Sequence, residues 1–504
     1  MKKKVSVVLT ALCLAIISVF ALVACGGEEG VGIEPPAYWF SYELYGNGYK
    51  VTSVSPSLSS DIESIEIPET FEGKNVIAIG DGVFKQSKYL KSVKLPETIE
   101  KIGNEAFASC ENLSSINIPK SVTSIGSEAF ELTALTDVEI PENVTFLGDG
   151  AFSNCRSLKS VNVVGKVSYI GNNTFIYCDE LESVTLPYGV LGIGNNAFFS
   201  CQKLKSVNVP DSVTTIGEAA FSNCSELTSI TLPGSVTNVG DDAFFVCRKL
   251  SEIVLSEGLA NIGEKSFFGC VGVMSITLPS TLTTIGQDAF GGCYRLAEVY
   301  NLSQVTDLGH AGMSNYDLYT DVNAESRLSE VDGFIVRTSE NGVKSVVNYI
   351  GNNEKPTIPA GVTVVRSGAF AYIDVIGEIV VPEGVEAINH YAFTQCKNLV
   401  KVTLPSTLIY IYDYAFDGCE NFASVNIPDK VEKIRSFAFN ECRSLTGIVI
   451  PKSVTKVFAN AFSGCSGMQT IYCEAAEQPS GWYSTWLDNC PAQVVWNYNG
   501  GAQA

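Results

Sequence analysis

Histidine is nearly absent: 504 residues hold two, His310 and His390. Catalysis on a histidine base and metal sites built from several histidines are excluded by that shortage. Positive charge is scarce as well. Lys and Arg total 33 against 54 Asp and Glu, a formal charge of −21. Such a surface repels phosphate backbones and anionic lipid, which excludes nucleic acid as a partner and membrane binding through a basic face. With 46 % hydrophobic and 17 % charged residues, the chain is neither disordered nor polytopic. Nucleophile elbows and phosphate loops are missing, and no pair of carboxylates is nominated for glycoside hydrolysis. Asp317, Asp321 and Asp332 do not follow EF-hand spacing. No enzyme, cofactor or metal site is therefore read from the residues, and both histidines are expected to face solvent.

One long apolar run is present, at the start. Lys2, Lys3 and Lys4 precede the uncharged stretch from Val5 to Ala24, the pattern of a secretory signal. Leu22-Val23-Ala24-Cys25 resembles the lipoprotein box of bacteria. That resemblance implies cleavage after residue 24 and acylation of Cys25, with several acyl chains holding the protein on the membrane. A plain signal peptide or an uncleaved anchor is the alternative. Residues 25–37 are glycine-rich, acidic and close on Pro35-Pro36, which suits a flexible tether. The expected location is therefore the cell surface or envelope, with the membrane reached only through the lipid.

Beyond the tether the chain repeats. Marker phenylalanines run from Phe84 through Phe107 and Phe130, then from Phe152 to Phe290, and again from Phe370 to Phe462. Every step within each series is 23 residues, except one of 22 between Phe130 and Phe152. Each period reads as one coil. In Leu204–Pro210, Val207 and Val209 alternate as a short strand with one buried face, and Pro210 ends it. Val213 and Ile216 give a second extended piece, and Gly217 turns the chain. Ala220, Phe221 and Cys224 then follow at the spacing of a single helical turn. One coil buries too little to stand alone, so stacked neighbours must supply the core. Glycine holds the turn position from Gly80 to Gly286, whereas Arg366, Asn389, Tyr412, Arg435 and Phe458 hold it later. Gly is thus expected to ease a tight turn without being obligatory.

The pattern Leu-x-x-Val-x-Leu-Pro followed by Val-x-x-Ile-Gly-x-x-Ala-Phe-x-x-Cys resembles the BspA type of leucine-rich repeat, over about residues 62–300 and 358–473. The resemblance implies a right-handed solenoid superhelix of short parallel strands, exported by bacteria and some protists, with roles in adhesion to host matrix proteins or other bacteria. The expected organisation is a signal peptide (1–24), tether (25–37), N-terminal hairpin cap (38–61), first repeat block (62–300), interruption with a β-hairpin (301–357), second block (358–470) and C-terminal Trp-rich cap (471–504). The interruption's hairpin is expected in Gly333–Ile350 around Glu340-Asn341-Gly342.

Twelve of the sixteen cysteines sit three residues after a marker Phe. Stacked side chains that point the same way bridge poorly, so they are read as buried apolar thiols. Cys473 and Cys490 lie outside that pattern, and a disulfide between them is left open. Outward strand positions form a flat polar ladder: Ser115 and Asn117, Ser160 and Asn162, Ser183 and Thr185, Ser206 and Asn208, Ser229 and Thr231. This is the candidate binding face, for an extracellular protein or glycan of unspecified identity. Trp482, Trp486 and Trp496 offer either a sugar-stacking platform or a hydrophobic cap, and an open solenoid end favours the cap. The leading expectation is a surface interaction protein. The alternatives are a passive envelope spacer, or carbohydrate binding through the terminal tryptophans.

Overall fold

The computed structural model describes residues 39–54, 62–308 and 317–499; Cys25 and His310 lie outside them. The chain winds as a solenoid of parallel strands, and no α-helix occurs among the described residues. Two rows of short strands run along the array. One includes Asp137–Ile140, Ser160–Val163, Ser183–Thr185 and Ser206–Val207, paired parallel and in register. The other includes Tyr169–Ile170, Gly192–Ile193, Thr215–Ile216 and Asn238–Val239.

The third side of each coil corrects the sequence reading. Ala-Phe-x-x-Cys forms no helical turn. Ala219, Phe221 and Asn223 instead donate their amides to the Asp241, Ala243 and Phe245 carbonyls one coil onward, at 2.7–2.8 Å. The amides between them bond locally, as Ala220 to Gly217 and Ser222 to Ala219. A helix would aim every amide along its own axis and leave this seam unpaired. Alternation requires left-handed residues, and Ala219 and Asn223 supply them at φ 50° and 60°.

Gly217 corrects a second expectation. Its φ is outside the left-handed region, but an added Cβ would lie 2.6 Å from the Gly194 carbonyl carbon and 2.7 Å from the Asn195 nitrogen. The glycine is there for close approach between coils, not for a tight turn.

Phe198, Phe221 and Phe244 are fully buried, stacked with centroids 5.1 and 5.2 Å apart and near-parallel planes. The column continues in the same manner from Phe84 to Phe290 and resumes from Phe370 to Phe462. Beside it run the thiols. Cys224 donates its S–H to the Phe198 carbonyl at 3.2 Å, and its neighbours repeat the bond. All twelve are free and buried, and burial pushes Cys224 well above the usual thiol range. Thr133 fills the rung in the short coil and donates to the Phe130 carbonyl at 3.0 Å.

Two separate cores result, one from Phe40 to Leu308 and one from Phe334 to Trp486. Each opens on an antiparallel hairpin whose last strand joins the coils in parallel. At the start, Phe40–Tyr45 pairs with Gly48–Val54, which pairs with Lys74–Ile79. In the interruption, Phe334–Thr338 pairs with Lys344–Tyr349, which pairs with Val362–Val365. Phe40 lies edge-on to Phe84, and Phe334 lies edge-on to Phe370. Leu328–Val331 adds a third antiparallel strand that sequence reasoning missed, although Asp332-Gly333 is a turn dipeptide of the kind that joins hairpin strands. Across the junction, Arg295 donates to the Gly368 and Ala371 carbonyls, and Tyr294 stacks on Tyr391 at 4.4 Å.

Candidate functional site

The outward strand ladder divides into residues committed to the fold and residues free to meet a partner. Asn117 is committed: its amide donates to the Leu95 carbonyl and accepts from the Leu95 amide, both at 2.7 Å. Asn208 clamps Leu186 in the same way at 3.0 and 3.1 Å. Each extends the pairing where its own strand is two residues long. Ser160 donates to Asp137 at 2.5 Å, which holds that carboxyl below its ordinary range. Asn162 reaches Glu139 at 3.5 Å.

The remaining hydroxyls are different. Ser183, Thr185 and Ser206 are exposed, as is Thr231, while Ser229 is half-buried. These five side chains occupy three consecutive coils. Ser115 stands apart, before the short coil, and is exposed. That coil breaks the strand row between Ser115–Ile116 and Asp137–Ile140 and opens a cleft of about 350 Å³ lined by Asn117, Asp137 and Glu139.

The terminal tryptophans do not form a platform. Trp482 and Trp486 are 5 % and 4 % exposed. Trp482 donates its indole N–H to the Val454 carbonyl at 3.0 Å, and Trp486 lies edge-on to Phe462. They close the column because a final ring needs an apolar lid, so neither shows a face to a sugar. Trp496 is half-buried against Trp482. The two terminal cysteines are free thiols in different columns. Cys473 is on a strand, opposite Ile450 and Trp496. Cys490 follows Asn489, which is left-handed at φ 60° and accepts from Gly464 as earlier rungs do. It extends the thiol column beyond Cys465, contrary to the expectation that both terminal cysteines lie outside it.

A feature the sequence reading passed over lies in the second block. Where the first block has glycine, Arg435 lies over Tyr412 at 5.8 Å and over Phe458 at 4.8 Å, and Phe458 stacks on Tyr483. Two positions on, Tyr391, Tyr414 and Phe437 stack at 4.9 Å intervals. All three are left-handed, at φ 56–58°, a conformation bulky residues rarely adopt. His390 is half-buried, 3.2 Å from Asp413. Burial lowers its pKa, Asp413 opposes that shift and Arg435 adds to it. Among the described residues no group of three His, Cys, Asp or Glu side chains could hold a metal.

The family described as "BspA type Leucine rich repeat region (6 copies)" matches residues 57–182, 168–297 and 344–476. The chain belongs to this family. Similar solved structures include a leucine rich cell surface protein of Faecalibacterium prausnitzii A2-165, 26 % identical over 91 % of this chain and 98 % of that one, with a TM-score of 0.38. A leucine-rich repeat protein of Bacteroides ovatus is 22 % identical over 93 % and 100 %, with a TM-score of 0.39. The leucine-rich repeat protein of T. pallidum is 23 % identical over 52 % and 90 %, with a TM-score of 0.21. No curated protein matches the chain. The BspA-type match covers both blocks and enters the interruption only at its last strand, Lys344–Tyr349.

Proposed function

We propose that the protein is a bacterial surface interaction protein, tethered through lipid on Cys25, that adheres to an extended extracellular partner along its first block. One observation carries this reading. Ser183, Thr185, Ser206, Ser229 and Thr231 make no side-chain hydrogen bond among the described residues, although their neighbours Asn117, Ser160 and Asn208 do. Five adjacent unengaged hydroxyls suit many weak contacts with a long ligand, and the flat row around them suits no deep pocket.

Binding of the full chain to an array of matrix proteins and bacterial glycans tests the proposal. Saturable binding that falls at least tenfold in the double variant Thr185→Glu, Ser206→Glu is the expected result. Saturable binding that ignores this variant removes the hydroxyl row from the site. No saturable binding to any member of the array overturns adhesion in favour of a passive spacer.

A further inference from the structure

The two blocks meet across a cleft of about 740 Å³, inside the range of roughly 300–1,000 Å³ common to small-ligand sites. Its charge is opposite to that of the molecule. Four cations and two carboxylates line it, in a chain whose formal charge is −21. The carboxylates are already engaged: Glu226 pairs with Lys249 at 2.6 Å, and Asp374 accepts the Lys397 backbone amide at 3.1 Å. Arg248, Arg295 and Lys397 have no acidic partner among the described residues.

Arg295 is the informative one. It is 8 % exposed and donates only to the Gly368 and Ala371 carbonyls, at 3.2 and 2.6 Å. A guanidinium removed from water without a counter-charge is costly, and burial pushes its pKa down to about 10. Arg248, also of the first block, is held over the Tyr372 ring of the second at 4.9 Å, which fixes its direction. Two arginines of the first block and Lys397 of the second, brought into one lining by the junction, form a receptor for a carboxylate.

The uncharged lining narrows the ligand. Ser225, Thr228 and Ser251 each donate their hydroxyl proton to a backbone carbonyl, at 3.2, 3.4 and 3.3 Å. They retain only acceptor capacity. Acceptors call for a ligand that brings its own O–H donors, which a sugar does and a phosphate dianion does not. We propose that the cleft between the two blocks binds a sugar acid, its carboxylate on Arg248, Arg295 and Lys397 and its hydroxyls on the serine and threonine side. The site is independent of the hydroxyl row assigned to adhesion.

Isothermal titration of the full chain with glucuronate and N-acetylneuraminate tests this, with glucose and inorganic phosphate as controls. Saturable binding of at least one sugar acid is expected, with glucose and phosphate at least tenfold weaker. Arg248→Gln and Lys397→Gln, both at exposed positions, should each weaken the sugar acid about tenfold and leave the melting temperature unchanged. Arg295→Met should abolish binding if it folds, and the two exposed variants decide the matter if it does not. Equal binding of glucose removes the carboxylate from the proposal, equal binding of phosphate removes the sugar, and no saturable binding to any probe overturns the site.

Discussion

After the second strand of each coil, the first block carries glycine from Gly80 to Gly286, and the second carries Arg366, Asn389, Tyr412, Arg435 and Phe458. The backbone bond there is the same: Gly217 donates to Ile193 at 2.8 Å, and Tyr412 donates to Ile388 at 3.0 Å. What differs is how the seam is closed beside that bond. In the first block an Asn or Asp side chain of one coil accepts the backbone amide of the next, as Asn195 does from Glu218 at 2.9 Å. In the second block, rings and guanidinium groups lie along the outside, with Asp413 making the comparable bond to Ser436 at 3.0 Å. The lesson is that the core column dictates the coil, while the edge of the coil accepts two chemistries: a close, polar seam or an aromatic one.

The largest effect should come from the column the two blocks share. Phe221→Ala and Phe416→Ala each remove a fully buried ring and should cost about 3–5 kcal/mol. Because the cores are separate, each variant is expected to lower the melting of its own block, read by hydrogen exchange along the chain. Loss of protection in both blocks from one substitution would show that the cores unfold together. A smaller effect should distinguish the edges. Gly217→Ala forces a Cβ into the preceding coil and should cost about 1–3 kcal/mol, whereas Tyr412→Gly loses ring contacts and should cost about 0.5–1.5 kcal/mol. Denaturant melts that rank them the other way would mean that the glycine seam is not tight.

The smallest effect should be on pH. His390, held by burial below its ordinary value of 6.5, takes up its proton more readily unfolded than folded. Its contribution to stability is therefore complete above about pH 6.5 and declines as pH falls through the folded value. The first block has no histidine. Thermal melts from pH 7 to 5 should show an acid-sensitive component in the second block that His390→Gln reduces, and a variant that keeps the full sensitivity would assign it to carboxylates.

The periodic phenylalanines made the solenoid and its core legible, because a side chain that must be buried in every coil repeats at the length of the coil. The turn after each glycine was not legible. Ala220, Phe221 and Cys224 have the same spacing whether their amides point along a helix or across to the next coil, and side-chain identity does not report amide direction. Asn117 and Asn208 looked like free surface residues because their clamping of Leu95 and Leu186 depends on register between coils. The sugar-acid cleft was invisible for a simpler reason. Arg248, Arg295 and Lys397 are scattered through two blocks, and only the junction brings them together.

The thiol column also sets a timetable. A folded coil shields its cysteine, but the same residue in a chain not yet wound has the reactivity of any cysteine in water, near pKa 8.5. Oxidants therefore reach these buried sulfurs chiefly before winding is complete, and each coil that closes over its cysteine removes one more target.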